Sequence, residues 1–347
     1  MRLAMTTNEI RSLTPLRGVA AVGVMLLHYC GHLGFRDQSV EYTFVIKNLY
    51  YLVELFLILS GFVLAAIYGS RFVDGTASYI RFLRARFARI YPLHIAILAI
   101  LLVLVIENPQ LIRFGGLTLA GAGGTAILVQ IWTHNAWNYP TWSIAAEAHL
   151  YVAFPIMAVL VLGRGREALR LALGVATIVA LLVVQNAVYG TFEIMYGLGV
   201  VPRVTAAFLA GIVLFRIHER GWLEGALSVR GSFLVAVAVL VVMLHLDANG
   251  AAILASMALV VMTAVYDRSI ATVLLNSQPL TLLGNWSYSI YLLHIPVFYV
   301  AHVFVNTPEL APTHAVMMMI VCAALTITAA ELTYRWVEMP ARRFLRP

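Results

Sequence analysis

Apolar residues gather in eleven runs along the chain, separated by short polar or basic stretches. The runs cover about 17–35, 44–68, 91–107, 117–133, 141–163, 171–189, 201–217, 231–247, 251–266, 286–304 and 313–336. Most are near the twenty or so residues that a helix needs to cross a hydrocarbon core of about 30 Å. In lipid a helix satisfies its own N–H and C=O groups, and none of the strand-like alternation of a membrane barrel appears. The run at 117–133 differs from the rest. The stretch leading into and through it, "FGGLTLAGAGGTAILVQIW", carries five glycines and makes a poor regular span. The pattern predicts an all-α integral membrane protein.

The distribution of charge decides how many runs cross. If all eleven crossed, 9 Lys and Arg would lie on the side of the N-terminus and 14 on the other. If 117–133 enters and returns on one side, the split becomes 19 against 4, the four being Arg36, Lys47, Arg113 and Arg203. Cytoplasmic loops are enriched in Lys and Arg. The expected topology is therefore about ten transmembrane helices with both termini cytoplasmic, plus a re-entrant or interfacial element on the outer side. Composition agrees: 62% of residues are hydrophobic and 11% charged, where a soluble domain has roughly a quarter charged. One transmembrane domain is expected over 1–347. A short polar leader with no small-residue cleavage site points to a retained first helix. The net charge of +7 follows from the cytoplasmic loops and does not call for nucleic acid. Cys30 and Cys322 both lie in apolar runs, so neither a disulfide frame nor a metal site is expected.

Ionisable and polar residues inside spans are costly and mark candidate chemistry. His28, Glu54, Ser60, Glu147, His149, His294 and Glu331 stand out. Arg17 and His28 are eleven residues apart, about 16 Å of helix rise, which carries His28 to about mid-membrane. Arg81, Arg84, Arg86 and Arg89 crowd the stretch before the third run. Part of that charge is a positive-inside anchor. The arginine fork also suits phosphate, and Arg86 and Arg89 share a helix face. Pro92 fits the first turn of the following helix. Glu147, about 10 Å into its span, is expected at the depth of His28, where it would form an acid/base pair with the imidazole. Ser60-Gly61 reads as close helix packing. Tyr288, Tyr291 and His294 form a polar stripe that points inward. Glu9, Arg11, Arg335, Glu338, Arg342 and Arg343 read mostly as a solvated rim. A proton-coupled transporter would also use buried His and Glu, but it leaves the arginine cluster unexplained.

These residues, taken in order, resemble the membrane-bound acyltransferase 3 family, which includes bacterial O-acetyltransferases of surface polysaccharides. "IRSLTPLRG", Arg17 followed by His28, "LFLILSGFVL", "RARFARIYP", "TWSIAAEAHLY", "GNWSYSIYLLH" and "RWVEMPARR" carry the resemblance over nearly the whole chain. Thr14 stands where the family usually has Asp. The resemblance implies an acetyl group moved from cytoplasmic acetyl-CoA, a co-substrate, to a sugar hydroxyl of an exopolysaccharide or lipid-linked saccharide. No metal is implied. Succinoglycan-type single-domain members are the nearest analogy, and an acyltransferase acting on a lipid or antibiotic is the alternative. The implied catalytic residues are His28, as general base or through an acyl-histidine relay, and Glu147. Arg17, Arg86, Arg89, Ser60 and Tyr288 are assigned to the donor. Tyr291, His294, Trp142 and Ser143 are candidate oxyanion or acceptor contacts, with Ser60 a further oxyanion candidate. The expected location is the bacterial inner membrane.

Overall fold

The computed structural model describes residues 7–109, 118–267, 269–305 and 311–345, without the side chains of 7–11 and 272. The apolar runs become helices: α1 (Thr7–His32), α2 (Val45–Val73), α3 (Tyr79–Glu107), α4 (Tyr139–Leu162), α5 (Glu167–Tyr189), α6 (Leu198–Glu219), α7 (Ser232–His245), α8 (Gly250–Tyr266), α9 (Gln278–Phe304) and α10 (Pro312–Leu345). Eight are long and apolar enough to cross a membrane, and the shorter apolar helices α7 and α8 complete the ten expected. The described residues contain no strand. We call the face where α1 begins proximal and the face where it ends distal.

Contacts at the two ends bear out the alternation of helix directions. On the distal face, Lys47 and Asn48, near the start of α2, both bond Asp247, just beyond α7. These donated hydrogen bonds, that of Asn48 foremost, hold the Asp247 carboxyl below its usual range. Arg36 after α1 pairs with Glu193 after α5 at 3.0 Å. On the proximal face, Asp74 pairs with Arg164 and Glu167 with Arg220.

The glycine-rich run does not cross. It forms two short helices, Leu119–Ala126 and Gln130–Thr133, and eight helical residues rise only about 12 Å. Leu128 and His134 turn the chain with positive φ. Backbone at this depth needs partners from the protein, and it has them. The His94 ring donates to the Thr125 carbonyl, the Trp137 indole to that of Thr118, and Asn138 to Leu292 on α9. Arg113, assigned outside by charge, lies beyond the described residues.

One expectation fails locally. Pro92 does not open a helix; it lies inside the 29-residue α3. A membrane helix tolerates the lost hydrogen bond where neighbours compensate. The arginine stretch and the span are thus one rod, which holds Arg86 and Arg89 in fixed register with the bundle.

Two crossings set the bundle's registers. A Cβ on Gly18 of α1 would stand 2.6 Å from the backbone nitrogen of Gly284 on α9, and one on Gly284 would strike the Thr14 carbonyl. Likewise a Cβ on Gly61 of α2 would meet the Phe208 carbonyl of α6, and one on Gly211 the Ile58 carbonyl. Small residues let membrane helices approach this closely. Gly284→Ala should lower the thermal midpoint of the detergent-solubilised protein by several degrees, since forced overpacking costs about 1–3 kcal/mol. Gly225→Ala, with no atom within 4 Å of the added Cβ, should leave it unchanged.

Candidate active site

Beyond Gly18 and Gly284, α1 and α9 continue in the same direction. Ten residues further on each, His28 and His294 meet. Their rings stack with centroids 5.0 Å apart and planes 6° from parallel, and His28 Nδ1 lies 2.8 Å from His294 Nε2. The other nitrogen of His294, Nδ1, is 3.3 Å from the Ile290 carbonyl. A carbonyl only accepts, so His294 Nδ1 carries its proton. Neutral His294 then offers a lone pair at Nε2, and His28 must donate to it from Nδ1. A doubly protonated His294, whose ring is fully buried, would carry a charge at heavy desolvation cost. His28 is thus left with a basic Nε2. Tyr139 meets the same ring edge-on, with centroids 5.0 Å apart.

His28 lines a cavity of about 240 Å³ together with His32, Arg36, Tyr50, Tyr139, Trp142, Glu193, Arg203 and Tyr291. It sits four residues from the distal end of α1, while α1 extends ten residues proximally of Arg17. The imidazole is therefore nearer the distal end of its helix than the mid-membrane expectation placed it. Below this cavity is a narrower one of about 40 Å³, lined by Arg17, Phe56, Ser143, Glu147, Ser287 and Tyr288 among others. Val53 and Tyr291 border both. Arg17, Arg89 and Arg342 lie close enough for their charges to act on one another. Arg86 is buried, with its guanidinium 5.6 Å from the Tyr68 ring centre.

The arrangement separates two residues that sequence reasoning paired. Glu147 lines the lower cavity with Arg17, and His294 takes the place beside His28. Helix rise gave a similar depth for Glu147 and His28; it could not give the direction each faces. Tyr291 also changes meaning. Its hydroxyl donates to the Pro140 carbonyl at 2.8 Å and lies 2.7 Å from Ser143 Oγ, so its proton is already used. Tyr288 likewise donates to the Ile90 carbonyl. Ser60 is buried and borders neither cavity, while its neighbour Gly61 makes the α2–α6 crossing. Trp142 lies in the upper cavity under Arg203, 4.6 Å from ring centre to guanidinium carbon. His149 braces Trp132 of the re-entrant element, and Glu331 pairs with Arg335 on an exposed face.

Other residues emerge only in three dimensions. Arg203, read as an outer loop charge, is 2% exposed and pairs with buried Glu54 at 3.3 Å. Its place just inside a span, after Pro202, was the available signal. Glu338, read as part of a solvated rim, is buried on a π-helical turn, bonded by Ser289 and Arg342. Among the described residues no group of His, Cys, Asp and Glu could hold a metal ion.

An imidazole lining one of two adjoining cavities, inside ten apolar helices, defines a multi-pass membrane protein built around a candidate reaction site. A model of the acyltransferase 3 family, described as an acyltransferase domain, matches residues 10–334. The chain belongs to that family and is a membrane acyltransferase. It is similar to the acyltransferase MdmB of Streptomyces mycarofaciens, at 29% identity over 97% of this chain and 92% of the relative. Shorter similarities reach Protein 2 in picA locus of Rhizobium radiobacter (42% over 25% of this chain and 40% of the relative). The O-acetyltransferase OatA of Staphylococcus aureus is 34% identical over 24% of this chain and 13% of its own length. No solved structure matches.

If His294 positions His28, removing its acceptor should slow acyl transfer without changing donor affinity. His294→Phe, which keeps an aromatic ring, should lower kcat by about tenfold or more, within the range general-base catalysis supplies. His294→Gln, whose amide oxygen can accept from His28, should recover part of the rate. Single-turnover transfer with purified variants measures both.

Proposed function

We propose that the protein moves an acetyl group from acetyl-CoA, held at the proximal face, to a saccharide hydroxyl entering from the distal face. In this reading the proximal face and both termini are cytoplasmic, and the membrane is the bacterial inner membrane. The acceptor is an exopolysaccharide or lipid-linked saccharide. One observation carries the proposal: two cavities bordered in common by Val53 and Tyr291, the lower lined by Arg17 and the upper holding an imidazole with one free basic nitrogen.

The donor's phosphates suit the proximal arginines. Arg17, Arg86 and Arg89 supply planar donor forks that form charge-assisted bonds to phosphate oxygens, and Arg342 adds to the same field. From Arg17 to His28 is about 16 Å of helix rise, a span suited to the slender pantetheine arm. Glu147 and Tyr288 flank the path of that arm. The acyl carbonyl would then arrive below His28, with the acceptor above. His28 Nε2 takes the hydroxyl proton as the oxygen attacks the thioester carbon. The tetrahedral adduct expels the thiolate, which recovers the proton from His28. The O-acetyltransferase among the similar proteins supports acetyl as the group and oxygen as the acceptor atom.

Purified protein in nanodiscs, given acetyl-CoA and a candidate saccharide, should release free thiol in step with acetylated product. His28→Ala should lower this by about 10² to 10⁴-fold while acetyl-CoA still binds; near-normal turnover would remove His28 as base. Arg86→Ala with Arg89→Ala should weaken acetyl-CoA binding by tenfold or more in calorimetry, and should flatten its salt dependence, because each lost cation removes a screened attraction. Unchanged affinity would take these residues out of the donor site.

A further inference from the structure

Acyl transfer places negative charge on the carbonyl oxygen, and that oxygen needs a donor. Three of the residues that sequence spacing suggested are taken up elsewhere. Tyr291 donates to Pro140, His294 is committed to Ile290 and His28, and Ser60 borders neither cavity. One permanently charged donor deep in the bundle lines the cavity of His28: Arg203.

Its surroundings fit that task. Trp142 lies against one face of the guanidinium, and Glu54 stands 3.3 Å from Nη1. That contact is an ion pair without hydrogen-bond geometry: Nε and Nη1 of Arg203 and both oxygens of Glu54 are buried with no hydrogen-bond partner. Buried donors left unpaired are costly. Glu54 balances the charge without consuming the N–H groups. Arg203 stands five residues from the distal end of α6 and His28 four from that of α1, so base and cation share a level. A fixed cation in a water-poor site stabilises developing charge far better than in water.

We propose that Arg203, held by Glu54 and Trp142, stabilises the oxyanion of the transfer reaction. As the acceptor oxygen bonds to the acyl carbon, its proton passes to His28 Nε2 and the carbonyl electron pair moves onto oxygen beside Arg203. Collapse returns that pair to the C=O bond and expels the thiolate, which takes the proton back. The inference rests on the reading of the upper cavity as the place of transfer.

The test compares acyl transfer with hydrolysis of acetyl-CoA measured in the absence of acceptor, a reaction that passes through the same type of adduct. Glu54→Gln with Arg203→Gln removes both charges together and keeps two amides able to bond one another. A thermal midpoint close to wild type establishes that the variant is folded, and Arg203→Lys, which keeps the cation, serves where it is not. The expected result is a fall of about 10² to 10³ in kcat for both hydrolysis and transfer, with KM for donor and acceptor little changed and partial recovery in Arg203→Lys. Transfer lost through a raised acceptor KM, with hydrolysis unchanged, would make Arg203 an acceptor anchor and overturn the proposal. Unchanged rates in both reactions would also overturn it. His28→Ala separates the two readings: if it retains transfer, the cavity itself is misassigned, whereas an inactive His28→Ala beside an active Arg203 variant fails this inference alone.

Discussion

The parallel contact of α1 with α9 is the constraint on which the site depends. With Gly18 seated against Gly284, no side chain separates the two backbones, and neither helix can slide without a collision. The register fixed there is carried upward by the common rise of the two helices. Ten residues on, it presents one imidazole to the other. The same contact sets Arg17 beside the segment that bears Ser287 and Tyr288. A steric condition at one level thereby becomes a chemical one at two others. Thr14 belongs to this contact through its backbone carbonyl, so the missing family acid falls where the helices touch.

The second crossing, of α2 with α6, works by a related logic with charge added. Gly61 and Gly211 bring the backbones together, and about two turns further on the same interface holds Glu54 and Arg203. An ion pair taken out of water seldom stabilises a fold more than apolar packing would, and removing one partner is severe. Tight packing at the glycines supplies the rigidity that keeps such a pair in place. Side-chain N–H groups also tie the re-entrant element in place: His94 of α3 and Trp137 donate to its carbonyls, and Asn138 donates to a carbonyl of α9.

Much of the fold was legible because lipid simplifies the code. Long apolar runs have one structural answer, and the glycine-rich run betrayed itself by composition and by the charge split it restored. The Arg17 to His28 spacing was legible because it lies on one helix. The partner of His28 was not: His294 is 266 residues away, and rise alone predicts depth but no azimuth. Arg203 was misread because a charge near a span's end looks like a loop residue when only sidedness is scored. Glu338 was misread for the converse reason, since the π-helical turn that carries it inward leaves no periodic signature. Pro92 looked like a helix start by soluble rules that a bundle in lipid relaxes.

The wall shared by the two cavities has a consequence for the cell. An energised membrane holds a voltage, and each elementary charge that leaks across 100 mV dissipates about 2.3 kcal/mol. A protein open to polar groups from both faces risks becoming a conductor. Here Tyr291 and Val53 border both cavities, and the tyrosine is tethered at its hydroxyl to Pro140 and Ser143. On the proposed route the donor's arm must pass this level, so a tethered tyrosine here limits the opening to what that arm needs. Selection on this tyrosine would then act through membrane energetics as much as through turnover.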